Sequence, residues 1–184
     1  MAGAYYINKS DLCVIGHKLK LKQCHHCGMT GMLILHGYLY GYDEYRTQLR
    51  TKGRRVFCSN RNRRNGCGRT ILYRIIDFME GTLISTAAAW KFLFLILSGI
   101  SIEKAYNSLD PECVLSLRTF FRFWKKFKLQ THRIRTFIAD NYQLLKISEL
   151  TPYNETIRHL SILFSGDHIN PIAQYQLASQ RSFV

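Results

Sequence analysis

The feature that most constrains this chain is Cys24-His25-His26-Cys27-Gly28, answered about thirty residues later by Cys58 and by Cys67-Gly68. A Cys-x2-Cys turn lets two thiolates reach one metal from a single tight knuckle, and a second pair completes a tetrahedral shell around Zn²⁺. A glycine after the second cysteine supplies the positive φ that such a turn calls for, and both halves end in Cys-Gly. The second half departs from the pattern, because residues 59–66 separate Cys58 from Cys67 and read as an insertion in the second knuckle. The expected ligands are Cys24, Cys27, Cys58 and Cys67, with His25, His26 and His36 able to replace one of them. His36, just before Gly37, reads first as a structural turn histidine. Reduced core cysteines without metal are the alternative reading of the whole set.

Between the two halves, residues 32–40 are β-prone and interrupted by a glycine, as in a hairpin, and a strand containing residues 54–57 delivers Cys58. The segments CHHCG, LILHGY, RRVFC and GCGRT together resemble the amino-terminal zinc ribbon of bacterial insertion-sequence transposases and their accessory DNA-binding proteins. The resemblance spans about residues 20–130. It implies a ribbon followed by a helix-turn-helix, with double-stranded DNA as the partner and a transposase or a second copy of the chain as a further one.

Composition narrows the partner independently. The 184 residues carry 26 Lys plus Arg against 12 Asp plus Glu, a net charge of +14, which favours a polyanion and nucleic acid before a membrane surface. Six cysteines, four of them in metal-type spacing with Cys13 and Cys113 apart, suit a reducing compartment and a cytoplasmic protein. The first residues lack the basic-then-apolar pattern of a secretory signal.

The alternation of Lys18, Lys20 and Lys22 with Leu19 and Leu21, after the apolar residues 12–15, predicts a strand or extended arm leading into the first knuckle. From residue 45 to residue 74 the basic residues meet no carboxylate, and Arg61, Arg63 and Arg64 fall in the Asn-rich insertion as candidate phosphate contacts. Residues 82–100 form the most apolar stretch. Their length approaches a membrane span, but Lys91 at the centre and the small polar residues favour a buried helix ending at Gly99.

A helix-turn-helix rhythm follows. Ser101 caps a short helix, Asp110-Pro111 breaks it, and a second helix opens at Leu115 or Ser116. On that helix Leu117, Phe120, Phe121, Trp124 and Phe127 are placed to bury one face, while Arg118, Thr119, Arg122, Lys125 and Lys126 fall largely on the other as DNA-reading candidates. Residues 129–147 continue as a helix. Beyond them the signal fades to one short helix near residues 156–164 and a poorly ordered tail.

The fold class expected is therefore α+β: a small β-rich zinc ribbon with an N-terminal arm over 1–76, an all-α helix-turn-helix bundle over 77–147, and a short helix and tail over 148–184. Asp140, Glu149, Glu155 and Asp167 are too few to build the carboxylate domain that phosphoryl transfer needs, so the expected activity is binding without chemistry. A zinc-dependent DNA-binding protein of a mobile element is the leading reading. The runner-up is an RNA-binding or ribosome-associated zinc-ribbon protein, and a small metal-dependent nuclease using one of the histidines comes third.

Overall fold

In the computed structural model, which describes residues 4–143, 151–164 and 169–184, the chain begins with a strand. This is β1 (Ala4–Ile7), and a helix, α1 (Lys9–Leu19), follows it directly. Three longer strands come next: β2 (Leu33–Gly41), β3 (Arg50–Cys58) and β4 (Thr70–Ile75). The sheet order is β1-β4-β3-β2, with β1 parallel to β4 and the other pairs antiparallel. On β4 the alternation of buried Ile71, Tyr73 and Ile75 marks one face as the core side. Helix α1 buries Leu12, Ile15 and Leu19.

That helix corrects the extended arm expected around residues 12–22. The Lys/Leu alternation mimics a strand, but Leu12, Ile15 and Leu19 stand three and four residues apart and are all buried, while Leu21 lies past the helix and is 84% exposed. Helical spacing over an apolar sheet face outweighs a short alternation.

Strands β1 to β4 with α1 make one unit, Met1–Gly41 with Leu49–Ile76. The second unit joins Tyr42–Gln48 to Asp77–Val184 and is helical, with α2 (Thr86–Leu97), α3 (Ile102–Asn107), α4 (Leu117–Asn141), α5 (Pro152–Leu163) and α6 (Pro171–Ser179). The α+β class is thus present: a four-stranded sheet and six helices among the described residues. Ser85 opens α2 by accepting the Ala88 N–H. The helix closes with the Gly99 N–H on Ile96 O and the Ile100 N–H on Leu95 O, the paired bonds of a Schellman end. Among the described residues no helix is long and apolar enough to cross a membrane.

Helix α4 runs unbroken for 25 residues, because no Pro or Gly interrupts it and Phe120, Phe123, Phe127, Thr131, Ile134 and Ile138 recur at three and four to keep one stripe buried. The buried stripe is rotated from the expected one: Phe123 is buried at 3% exposure, whereas Phe121 is 42% exposed. Residues 144–147, expected to extend this helix, lie outside the described residues.

The C-terminal residues depart most from expectation. The tail expected to be poorly ordered forms α6, and Ile172, Tyr175 and Phe183 lie fully inside the core of the helical unit. Thr151-Pro152 and Asn170-Pro171 are N-cap and first-turn pairs, each cap accepting a backbone N–H three residues on. Proline at the first helical position starts a helix, since its missing N–H would have no partner there anyway.

Candidate metal centre and nucleic-acid interface

The two cysteine knuckles are built alike despite their unequal lengths. In the first, the Cys24 N–H donates to Met29 O at 3.0 Å and the Gly28 N–H donates back to Cys24 O at 2.7 Å. In the second, the Cys58 N–H donates to Arg69 O and the Gly68 N–H to Cys58 O, both at 2.9 Å. Gly28 and Gly68 have φ of +70° and +71°, the left-handed conformation that costs glycine least. The insertion is pinched off at its base, where the Gly66 N–H donates to Ser59 O at 2.9 Å. A Cβ on Gly66 would stand 2.3 Å from that oxygen, so only glycine fits. Cys67 therefore sits beside Cys58 much as Cys27 sits beside Cys24. The insertion itself turns at Asn62 and Arg63, with the Arg64 N–H on Arg61 O, rather than running as a featureless loop.

Strand β3 ends at Cys58 and the bridge between Gln23 and Thr30 flanks the first knuckle, so the sheet presents the two pairs to each other. The four sulfurs lie within 4.8 Å of one another, with Cys24 to Cys67 at 3.8 Å and Cys27 to Cys58 at 3.7 Å. A tetrahedral ion with metal–sulfur bonds of about 2.3 Å requires sulfurs about 3.8 Å apart, so the donor set fits a metal ion. Burial pushes the Cys24 thiol up, but hydrogen bonds from the His26 and Cys27 N–H groups and from the thiols of Cys58 and Cys27 outweigh it and bring the group to about 7. At Cys58 burial dominates and holds the thiol up at about 12, against the lowering by the Cys67 N–H. Ligation needs all of them as thiolates, and a dication supplies the positive charge that this requires.

Among the described residues no histidine joins the four-sulfur cluster. His25 meets Tyr5 edge-on at 5.5 Å, and His36, on β2, lies 5.6 Å from the Phe57 ring. Nδ1 of His26 stands 3.3 Å from Nη1 of Arg69. Desolvation, then the charges of His25 and Arg69, hold His26 below the usual imidazole range, consistent with a neutral ring accepting from a guanidinium that can only donate. Cys13 is exposed on α1 and Cys113 half-buried in the helical unit; neither belongs to the cluster.

Charge is divided unequally between the units. The sheet unit holds 13 of the Lys and Arg residues and a single carboxylate, Asp11, giving +12 of the net +14. Asp11 is bonded to Lys18 at 2.9 Å. The helical unit holds the other 13 basic residues against 11 acidic ones, a net of +2. Arg61, Arg63 and Arg64 are exposed on the insertion, and the Arg61 guanidinium lies 5.6 Å over the Phe57 ring. Arg118, Arg122, Lys125 and Lys126 are exposed on α4, opposite its buried stripe, whereas Thr119 is half-buried with its hydroxyl 3.2 Å from that of Ser116. The candidate contacts thus fall in two groups on two units.

Two features escaped the sequence reading. Tyr38 and Tyr40 stand exposed on β2 with Arg54 laid over Tyr38. Asp43 and Glu44 are buried in the helical unit although the segment holding them joins two strands of the other. The second had a signal, since they are the only carboxylates between Asp11 and Asp77. No family model, no curated protein and no solved structure matches this chain.

Proposed function

We propose that the chain is a zinc-dependent DNA-binding protein that holds one Zn²⁺ on Cys24, Cys27, Cys58 and Cys67 and grips the phosphates of a duplex with the sheet unit around that ion. A shell of four thiolates selects zinc among the common divalent ions and leaves it no open position, which makes the ion structural. The observation that carries the reading is the concentration of +12 of the net +14 in the unit containing the four-cysteine cluster. Charge of this density gives affinity without sequence preference, so reading of base edges falls to the exposed Arg118 and Arg122 of α4. The role that fits is that of an accessory, regulatory or DNA-binding part of a transposition system, working in a reducing compartment, the cytoplasm. It acts as a binding protein and not an enzyme.

Anisotropy titration of duplex DNA at several salt concentrations, before and after removal of metal by a chelator, tests this. The expected result is metal-dependent binding whose log affinity falls linearly with log salt. Undiminished binding by the metal-free chain would refute the zinc-dependent part, and absence of duplex binding would refute the whole. Competition with structured RNA separates the RNA-binding alternative.

A further inference from the structure

The β2–β3 pair carries two aromatic rings that the DNA-phosphate reading does not use. Tyr38 is 45% exposed and Tyr40 62% exposed. Their rings lie side by side, 5.8 Å between centroids and tilted by 35°. The strand register sets Tyr38 directly opposite Arg54, so the two side chains leave the same face of the sheet. The Arg54 guanidinium carbon stands 3.9 Å from the Tyr38 ring centroid. This is a cation–π contact that lays the guanidinium over one face of the ring and fixes it.

Exposed tyrosines in a strongly cationic setting narrow the choice of occupant. An apolar protein partner gains nothing from the Arg54 guanidinium at the rings or from the unit's net charge of +12, and the unit's one carboxylate, Asp11, is already bonded to Lys18. A polyanion satisfies the charge. Among polyanions, a duplex keeps its base faces stacked against one another and offers an aromatic ring no open base face along its length, whereas a single strand offers open base faces at each nucleotide. Neighbouring rings on one face of a strand can stack on successive bases while cations hold the intervening phosphates.

We propose that Tyr38 and Tyr40, with Arg54, form a stacking platform for unpaired bases of a single-stranded nucleic acid. The inference rests on the proposed nucleic-acid function only for its polyanion and adds a second kind of site to it, one that a duplex does not fill. A chain with both sites binds best where duplex gives way to single strand.

The test is anisotropy titration of the full-length, zinc-loaded chain with labelled oligo-dT and oligo-rU of about 15 nucleotides and a duplex of similar length. The Tyr38→Ala, Tyr40→Ala double variant weakens both single strands about tenfold or more and the duplex by less than about twofold. Tyr38→Phe, Tyr40→Phe, which keeps the rings, stays near the parent. Because an alanine variant can misfold, a second measurement uses the unaltered protein: photocrosslinking to an iodouracil-bearing strand, mapped by mass spectrometry, lands on Tyr38 or Tyr40. Equal losses on duplex and single strands, or a crosslink map that omits both tyrosines, would overturn the platform. Binding of single strands without duplex would sink the duplex reading and leave the platform standing; binding of duplex alone would do the reverse. Comparing dT with rU separates DNA from RNA as the source of the strand.

Discussion

Glu44 closes the N-terminus of α2 through Ser85: its Oε2 accepts the Ser85 N–H at 2.9 Å and its Oε1 accepts the Ser85 hydroxyl at 2.5 Å. Ser85 Oγ in turn accepts the Ala88 N–H at 3.1 Å, and Glu44 is only 5% exposed. A carboxylate at a helix N-terminus meets free N–H groups and the positive end of the helix dipole. Its removal takes the acceptor away from both the N–H and the hydroxyl of half-buried Ser85. Glu44→Ala is expected to cost the helical unit about 1–3 kcal/mol, and Glu44→Gln, which keeps an acceptor, less. Urea unfolding followed by tryptophan fluorescence checks this, because Trp90 and Trp124, the chain's two tryptophans, both lie in the helical unit. Unchanged midpoints would mean that the contact contributes nothing.

The same fluorescence signal tests the C-terminal residues. Phe183 is fully buried, with its ring 5.5 Å from Phe127 and 16° from parallel, and its N–H donates to Gln176 Oε1 at 3.2 Å. Phe183→Ala should destabilise the helical unit by about 3–5 kcal/mol. A change under about 0.5 kcal/mol would return these residues to the status of a dispensable tail.

What the sequence revealed and what it hid follow from how local each signal is. The knuckles are legible because Cys-Gly endings impose a backbone shape within a few residues, and Gly28 and Gly68 adopt it. Strand β1 and α1 are hidden because four residues carry too little periodicity and the Lys/Leu alternation competes with the helical spacing of Leu12, Ile15 and Leu19. The C-terminal residues mislead because Pro152 and Pro171 look like breakers, yet each follows a capping residue and starts a helix. Burial of Glu44 depends on Ser85, more than forty residues away, a partner that no window along the chain contains.

The two basic groups should behave differently on DNA. Replacing Arg61, Arg63 and Arg64 by Ala is expected to weaken all duplexes similarly and to reduce the salt slope by about one for each phosphate left without its arginine. Arg118→Ala or Arg122→Ala, on a rigid helix, should cost about 1–3 kcal/mol on a site selected from random duplexes and far less on unselected DNA. Parallel titrations on selected and unselected duplexes decide between them. Equal losses on every sequence from both sets would leave α4 only a charged surface.

Cys13 and Cys113 lie outside the four-sulfur cluster. The Cys13→Ala, Cys113→Ala double variant should keep its full metal content and its duplex affinity. Loss of metal from this variant would show that the shell had been assigned to the wrong residues.

X-ray absorption at the zinc edge of the full-length chain tests the account most directly, because it reads the kind, number and mean distance of the atoms bound to the ion. Four sulfurs at about 2.3 Å, one ion per chain, is the result that Cys24, Cys27, Cys58 and Cys67 require. A shell with nitrogen in place of sulfur, or a chain that folds fully and takes up no zinc, would contradict it.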